Sequence, residues 1–161
     1  MYDLLVWLEN SAAGHAMRGG GVWIYGIVNL IHIAAVATLF GSVLVLDLRL
    51  VGLWKSVPLH SIKIPTLPLA KAGFAVAAIS GSSLLTANAT EYAGNPFILI
   101  KFPAIGLALL NVAIVHRQAA WNAPETRLPD HDVPRALKTA GALSLVCWGT
   151  ALAAGRMIGY W

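Results

Sequence analysis

Asn29 and His32 carry an amide and an imidazole inside a long apolar run that has no charged residue from Val22 to Leu46. Their spacing of three places both side chains on one face of a helix. A neutral imidazole binds iron through a ring nitrogen and also titrates near physiological pH. His32 therefore has the chemistry of a haem axial ligand or of a proton-transferring group at a quinone site, and Asn29 is placed to orient its ring.

A purely structural role for His32 is the alternative. Its ring would then hydrogen-bond Asn29 or the serines of the next spanning helix, and the residue would act as a packed side chain. An ionisable group far inside a membrane is costly unless it faces other helices or a ligand, and such groups usually carry function. Both interpretations stand at this point.

Two cations, Lys101 and Arg156, are predicted about 6 Å from the outer membrane face, counted along their helices. They have the charge to hold haem propionates, an anionic substrate or lipid headgroups, although long cations near helix ends also extend to the interface. The predicted cofactor-binding residues are thus His32, Asn29, Lys101 and Arg156, with His32 as the metal ligand. No catalytic residue is predicted.

His116 and Arg117 stand at the far end of the third predicted spanning helix. On the same count His116 lies roughly 28 Å from the outer face and His32 roughly 15 Å. The two histidines are therefore not expected to ligate one metal from opposite sides, and His116 is interpreted as interfacial. The single cysteine, Cys147, permits neither an intrachain disulfide nor a CxxC motif.

The elements that must position these residues are membrane helices, and the fold class is all-α. About 20 apolar residues cross a bilayer core, and four segments of the chain meet that requirement. The spanning helices are predicted at about 22–48, 68–91, 97–118 and 134–160. A shorter segment, 2–17, is too polar to span and is predicted to lie in the interface. The whole chain, 1–161, is interpreted as one transmembrane domain with the lipid bilayer as its partner.

Composition supports a membrane domain. Of the 161 residues, 58% are hydrophobic and only 11% are charged, whereas soluble domains carry about a quarter. The net charge of +4 is spread over the flanks of apolar segments, so no nucleic-acid surface is expected. Asp3 and Glu9 replace the positive region of a signal peptide, so no cleavable signal is expected. Paired carboxylates, phosphate loops and nucleophile elbows are missing from the sequence, which argues against a hydrolase.

Charge asymmetry predicts the topology. Basic residues are concentrated on the side that holds the connectors after the first and third spanning helices: Arg49, Lys55, Lys63, Lys71, Arg117, Arg127, Arg135 and Lys138. The opposite side holds Arg18, Lys101 and Arg156. Cytoplasmic loops carry the excess of basic residues, so both termini are predicted on the periplasmic side of a bacterial inner membrane.

Several sequence blocks resemble a known family. They are WLENS, LIHIAAVATLFGSVLVLDLRLVG, AGFAVAAISGSSLL, NPFILIKFPAIGLALLNVAIVH and a last helix that contains Arg156. Together they are similar to a family of bacterial four-helix inner-membrane proteins, which is distantly similar to the copper resistance protein D group and to four-helix membrane cytochrome b subunits. The resemblance implies a four-helix bacterial membrane domain and lends weak support to metal or haem binding.

The leading functional hypothesis is a redox-associated membrane subunit that binds haem b or a quinone around His32, in electron transport. One alternative is a copper or small-solute permease that uses the polar face of the second helix, although only three methionines and one cysteine are present as soft copper ligands. Another is a non-catalytic scaffold for a partner protein. The small residues Gly73, Ala77 and Gly81 recur every four positions and predict close helix packing, and a homo-oligomer or a partner subunit is expected.

Overall fold

The computed structural model describes residues 2–122 and 133–161. Within them seven α-helices follow one another: α1 (Tyr2–Glu9), α2 (Ala12–Gly19), α3 (Gly21–Val51), α4 (Leu59–Ala87), α5 (Pro96–Arg117), α6 (Ala119–Asn122) and α7 (Arg135–Met157). A 3₁₀ turn, Ile158–Tyr160, follows α7. Most of the connector predicted after the third spanning helix, with Arg127 and His131, lies outside the described residues.

Four of these helices, α3, α4, α5 and α7 with its 3₁₀ turn, are long and apolar enough to cross a membrane. No strand occurs among the described residues. The predictions of an all-α fold and of a multi-pass membrane protein with four spanning helices are therefore confirmed. Large apolar side chains are exposed along α3 and α5, which suits helices that face lipid.

The N-terminal segment forms two short helices where one interfacial helix was predicted. The break falls at Ser11, which caps α2: its hydroxyl oxygen accepts a hydrogen bond from the backbone N–H of Gly14 at 3.2 Å. A serine at this position satisfies one of the N–H groups that a helix start leaves without an intrahelical partner. A local cap thus divides what composition alone presents as one amphipathic segment.

The largest difference from the predicted boundaries is at the start of α4. Pro68 was expected in the first turn of this helix, but α4 begins at Leu59 and contains both Pro65 and Pro68. Proline costs a backbone hydrogen bond inside a helix. Leu59 and Ile62, which lie before both prolines, pack against a buried apolar cluster, and that burial offsets the cost.

The described chain divides into two compact units. The first comprises the residues up to Leu39 together with Ala70–Asn95, and the second comprises the described residues of Phe40–Leu69 and Pro96–Trp161. His32 and Asn29 belong to the first unit, and Lys101 and Arg156 to the second. The expectation of one domain over 1–161 stays a prediction.

Close helix contact within the first unit depends on Gly73. A Cβ added there would lie 2.8 Å from the backbone nitrogen of Leu39 and 2.9 Å from the carbonyl oxygen of Ala35. Only glycine allows the backbones of α3 and α4 to approach this closely. The close packing predicted for the Gly73-Ala77-Gly81 face is thereby confirmed within the chain.

In the second unit α5 packs along α7. The buried apolar cluster of this unit is formed by Leu46, Leu50, Val115, Trp121, Val133, Leu137 and Ala140. Gly141 admits α3 to the surface of α7, since a Cβ at this position would lie 2.8 Å from the Cβ of Leu50. A buried amide adds a polar contact, because Asn111 Nδ2 donates to the carbonyl oxygen of Ala140 at 2.9 Å.

Candidate functional site

His32 is held by a chain of hydrogen bonds on α4. Its Nδ1 lies 3.0 Å from the Oγ of Ser80, and that hydroxyl donates to the carbonyl oxygen of Val76 at 2.6 Å. Because the hydroxyl proton is used on Val76, Ser80 accepts from His32, so the ring carries its proton on Nδ1. In the neutral ring Nε2 then bears the lone pair, which is the form that ligates a metal or accepts a proton.

Gly81 makes room for the imidazole. A Cβ added at this position would lie 2.8 Å from Cε1 of His32 and 3.3 Å from its Nδ1. The ring therefore rests directly on the backbone of α4, in a space that any larger side chain would fill. The sequence predicted Gly81 as part of a packing face, whereas the structure gives it a second role in seating the imidazole.

Asn29 lies on α3 one turn before His32 and is half-buried, as His32 is. The helical spacing predicted between them is thus confirmed. The role of Asn29 in orienting the ring stays a prediction, because the orienting hydrogen bond that the structure describes comes from Ser80.

Lys101 and Arg156 lie in the second unit, and the Lys101 side chain reaches α7 at the residue before Arg156. The Cε and Nζ atoms of Lys101 are 3.5 Å from a Cβ placed on Gly155, the residue before Arg156. The guanidinium of Arg156 is exposed and turns to Tyr160, donating to its hydroxyl while its Cζ lies 4.7 Å from the ring centroid. Their predicted contact with propionates or other anionic groups stays a prediction.

The hydroxyls of α4 bond mainly within their own helix. Ser83 donates to Ile79 at 3.0 Å and Thr86 to Ser83 at 2.7 Å, in each case to a backbone carbonyl oxygen. Hydroxyls that bond the preceding turn have their own donor satisfied inside an apolar phase. Ser80 differs because its oxygen also takes part in the contact with His32.

His116 is exposed at the end of α5, as an interfacial histidine was expected to be. Its Nδ1 lies 2.8 Å from the carbonyl oxygen of Val112, to which it donates, and its ring lies 5.4 Å from that of Trp121. Lys63 extends over the same tryptophan, with Nζ 3.9 Å from the ring centroid and 2.7 Å from the Trp121 carbonyl oxygen. Cation, histidine and indole form an interfacial cluster in the second unit.

A group of charged residues at the N-terminal end was missed by sequence reasoning. Oε2 of Glu9 accepts hydrogen bonds from the backbone N–H and the hydroxyl of Thr90, at 2.8 and 2.6 Å. These two bonds lower the pKa of Glu9 below its usual value of 4.5, and Arg18 adds a weaker effect in the same direction. Arg18 donates to the carbonyl oxygens of Ala87 and Glu9, so its guanidinium anchors α2 to the end of α4.

Asp47 is the second residue that the sequence did not single out. Its side chain is only 4% exposed, inside the second unit. The Ser144 hydroxyl of α7 interacts with its carboxyl. The available signal was an acid flanked by two leucines, one residue before the predicted end of the first spanning helix.

Among the described residues, no group of three or more histidine, cysteine, aspartate or glutamate side chains is placed to hold a metal ion. The fold and the hydrogen-bonded histidine together define an integral membrane protein with four helices that could span a membrane and an imidazole held between two of them. In comparisons with known proteins, no family model, curated protein or solved structure matches this chain.

Proposed function

We propose that this protein is a redox-associated membrane subunit that holds haem b through His32. The observation that carries the proposal is the contact of His32 Nδ1 with Ser80 at 3.0 Å. Histidines that ligate a metal almost always donate their other ring N–H to an oxygen, which fixes the tautomer and raises ligand basicity. Ser80 supplies that oxygen, and Nε2 is the nitrogen that would bind the iron.

The seat of the ring on Gly81 supports the same function. An axial ligand must keep one orientation, and a ring resting on helix backbone at Gly81 loses much of its rotational freedom. When bound, haem supplies one-electron chemistry at its iron, while this chain supplies the ligand and the apolar surroundings that tune the potential. Any further ligand to the haem would come from a second copy of the chain or from a partner subunit.

Binding of a quinol is the second candidate, and one observation favours it. The Nε2 lone pair of His32 accepts a hydrogen bond or a proton, as a quinol hydroxyl requires. The imidazole is only half buried, and its neighbours Ile31 and Ile33 are exposed as lipid-facing residues are. A membrane-soluble quinol would reach the ring directly from the bilayer.

A visible spectrum of the protein purified in mild detergent, oxidised and then reduced with dithionite, tests the haem proposal. The expected result is a reduced α-band of the b type that is lost in His32→Ala. His116→Ala is the matched control, because its Nδ1 also donates to an oxygen but the ring is exposed in the interfacial cluster. The control should keep the spectrum.

A blank spectrum from folded protein, or a band unaffected by His32→Ala, would refute the haem proposal. The quinol candidate is then tested by extracting the purified protein with organic solvent and measuring bound quinone. Quinone present in the wild type and depleted in His32→Ala supports it, and equal amounts in both argue against it.

A further inference from the structure

Asp47 stands out because it is a buried acid that the proposed function leaves unused. It lies four residues before Val51, the last residue of α3, and therefore about 6 Å from the end of that helix. Its side chain is nevertheless only 4% exposed. The carboxyl is thus close to the connector that follows α3 but enclosed by protein.

α7 encloses the carboxyl. A Cβ added at Gly141 would lie 3.2 Å from the backbone oxygen of Asp47, so α7 passes directly beside this turn of α3. One turn further along α7, the Ser144 hydroxyl interacts with the Asp47 side chain. Leu46 and Leu50 flank the residue and belong to the buried apolar cluster of the second unit.

The hydrogen bonds available do not fit an ionised carboxylate. Oδ2 of Asp47 is buried and accepts no hydrogen bond from any residue in 2–122 or 133–161. A buried carboxylate needs a paired cation or several donors, because its desolvation otherwise costs several kcal/mol or more. A protonated carboxyl is neutral and needs neither a paired cation nor several donors, and it can form one hydrogen bond with the Ser144 hydroxyl.

The hydrogen bonds described for two basic residues of the second unit go to backbone carbonyl oxygens. The guanidinium of Arg49 donates through Nε to the carbonyl oxygen of Val57 at 2.7 Å and through Nη2 to that of Lys55 at 3.5 Å. On α4, Lys63 is bound to the carbonyl oxygen of Trp121. The other titratable or cationic groups on α5, α7 and the second-unit part of α4 are the buried Cys147, the half-buried Lys101 and Lys138, and the exposed His60, His116, Arg117, Arg135 and Arg156.

We propose that Asp47 is a proton-binding site: its carboxyl is protonated at neutral pH and exchanges that proton with the solution at the connector end of α3. The site lies in the second unit, and it does not depend on His32 or on any redox cofactor. Its ligand is a proton and not a metal ion. The two carboxyl oxygens of Asp47 and the one hydroxyl of Ser144 are fewer oxygen ligands than Ca²⁺ or Mg²⁺ requires. The short distance to the helix end provides the route for exchange.

Infrared spectroscopy of the full chain in detergent or lipid tests the proposal. An aspartate in water is almost fully ionised at neutral pH, so the carbonyl band of a protonated acid reports Asp47 directly. We expect this band in the wild type, its complete loss in Asp47→Asn, and its retention in Glu91→Gln, which removes an exposed acid. The wild-type band should weaken reversibly as the pH is raised and should shift in heavy water.

Two results would overturn the proposal: identical spectra of the wild type and Asp47→Asn at neutral pH, or a band that neither titrates nor exchanges while the protein stays folded. Ser144→Ala covers the case in which Asp47→Asn fails to fold. It keeps the acid and removes its hydrogen-bond partner, so the band must move in frequency, and an unmoved band counts against the site. These outcomes are independent of the haem spectrum.

Discussion

Thr90 donates two hydrogen bonds to one carboxylate oxygen of Glu9, from its backbone N–H at 2.8 Å and from its hydroxyl at 2.6 Å. The two residues are 81 positions apart in the chain. This contact attaches α1 to the turn that follows α4, and Arg18 strengthens it by donating to the backbone oxygens of Ala87 and Glu9. Charge-assisted bonds of this kind are about twice as strong as neutral ones.

Acid should release this N-terminal contact. The pKa of Glu9 is lowered from its usual 4.5 mainly by the two Thr90 hydrogen bonds, so the stabilisation is complete above pH 4.5 and is lost as the pH falls through the lower, folded-state value. Hydrogen exchange at the backbone amides of α1 and of the turn after Ala87 measures the release. The protection of these amides, measured against their intrinsic exchange rate at each pH, should begin to fall below pH 4.5.

Glu9→Gln mimics the released state at neutral pH and should speed the same exchange there. Asp3→Asn is the matched control, because it removes an exposed acid from the same helix. Equal exchange in the wild type and Glu9→Gln at neutral pH would show that the Thr90 contact does not hold α1.

Gly81→Ala should displace the His32 ring. The added methyl group would lie 2.8 Å from Cε1, well inside van der Waals contact, and overpacking of this kind costs about 1–3 kcal/mol. Thermal unfolding in detergent measures the loss of stability, and the absorption of any bound haem measures the displacement. Gly26→Ala is the matched control on α3, because a Cβ there meets nothing within 4 Å. The prediction fails if the two alanine variants behave alike.

Ser80→Ala should keep a haem bound but weaken its attachment. Removal of the oxygen that orients a metal-ligating histidine typically costs about 10–100-fold in affinity or activity. Haem retention during dilution and gel filtration provides the measurement. Ser83→Ala serves as the control, since that hydroxyl bonds the Ile79 carbonyl of its own helix. Equal haem retention by the two variants would show that Ser80 does not help to hold His32 as a haem ligand.

The spanning helices could be predicted from sequence because a long uncharged run has few alternatives in a membrane. Their ends were harder to place. The start of α4 was predicted nine residues late, because Pro58 and Pro65 suggested an interfacial connector and Pro68 suits the first turn of a helix. The contacts that favour a helix there, from Leu59 and Ile62 to the buried cluster, involve residues far away in the chain.

In the candidate site, too, local features could be predicted from the sequence, whereas contacts between distant residues could not. The helical spacing of Asn29 and His32 follows from local periodicity, and the sequence also brought the serines of α4 into consideration. The register that puts His32 on Gly81 and Ser80 depends on how closely two helices approach. Asp47 was overlooked because an acid near a helix end is usually exposed, and its burial comes from α7, about 95 residues further along the chain.

Asn111 should contribute to the pairing of α5 with α7. Its amide is buried, with 7% exposure, and its Nδ2 donates to the carbonyl oxygen of Ala140 at 2.9 Å. Asn111→Leu keeps a similar volume but removes the only hydrogen bond that the described residues show for this amide. Interhelical hydrogen bonds in membranes contribute about 0.5–2 kcal/mol, so unfolding in detergent should become easier by that amount. Asn88→Leu is the comparison, because the Asn88 amide bonds the Glu91 carboxylate in an exposed turn. Equal stabilities of the two variants would mean that apolar packing alone holds α5 against α7.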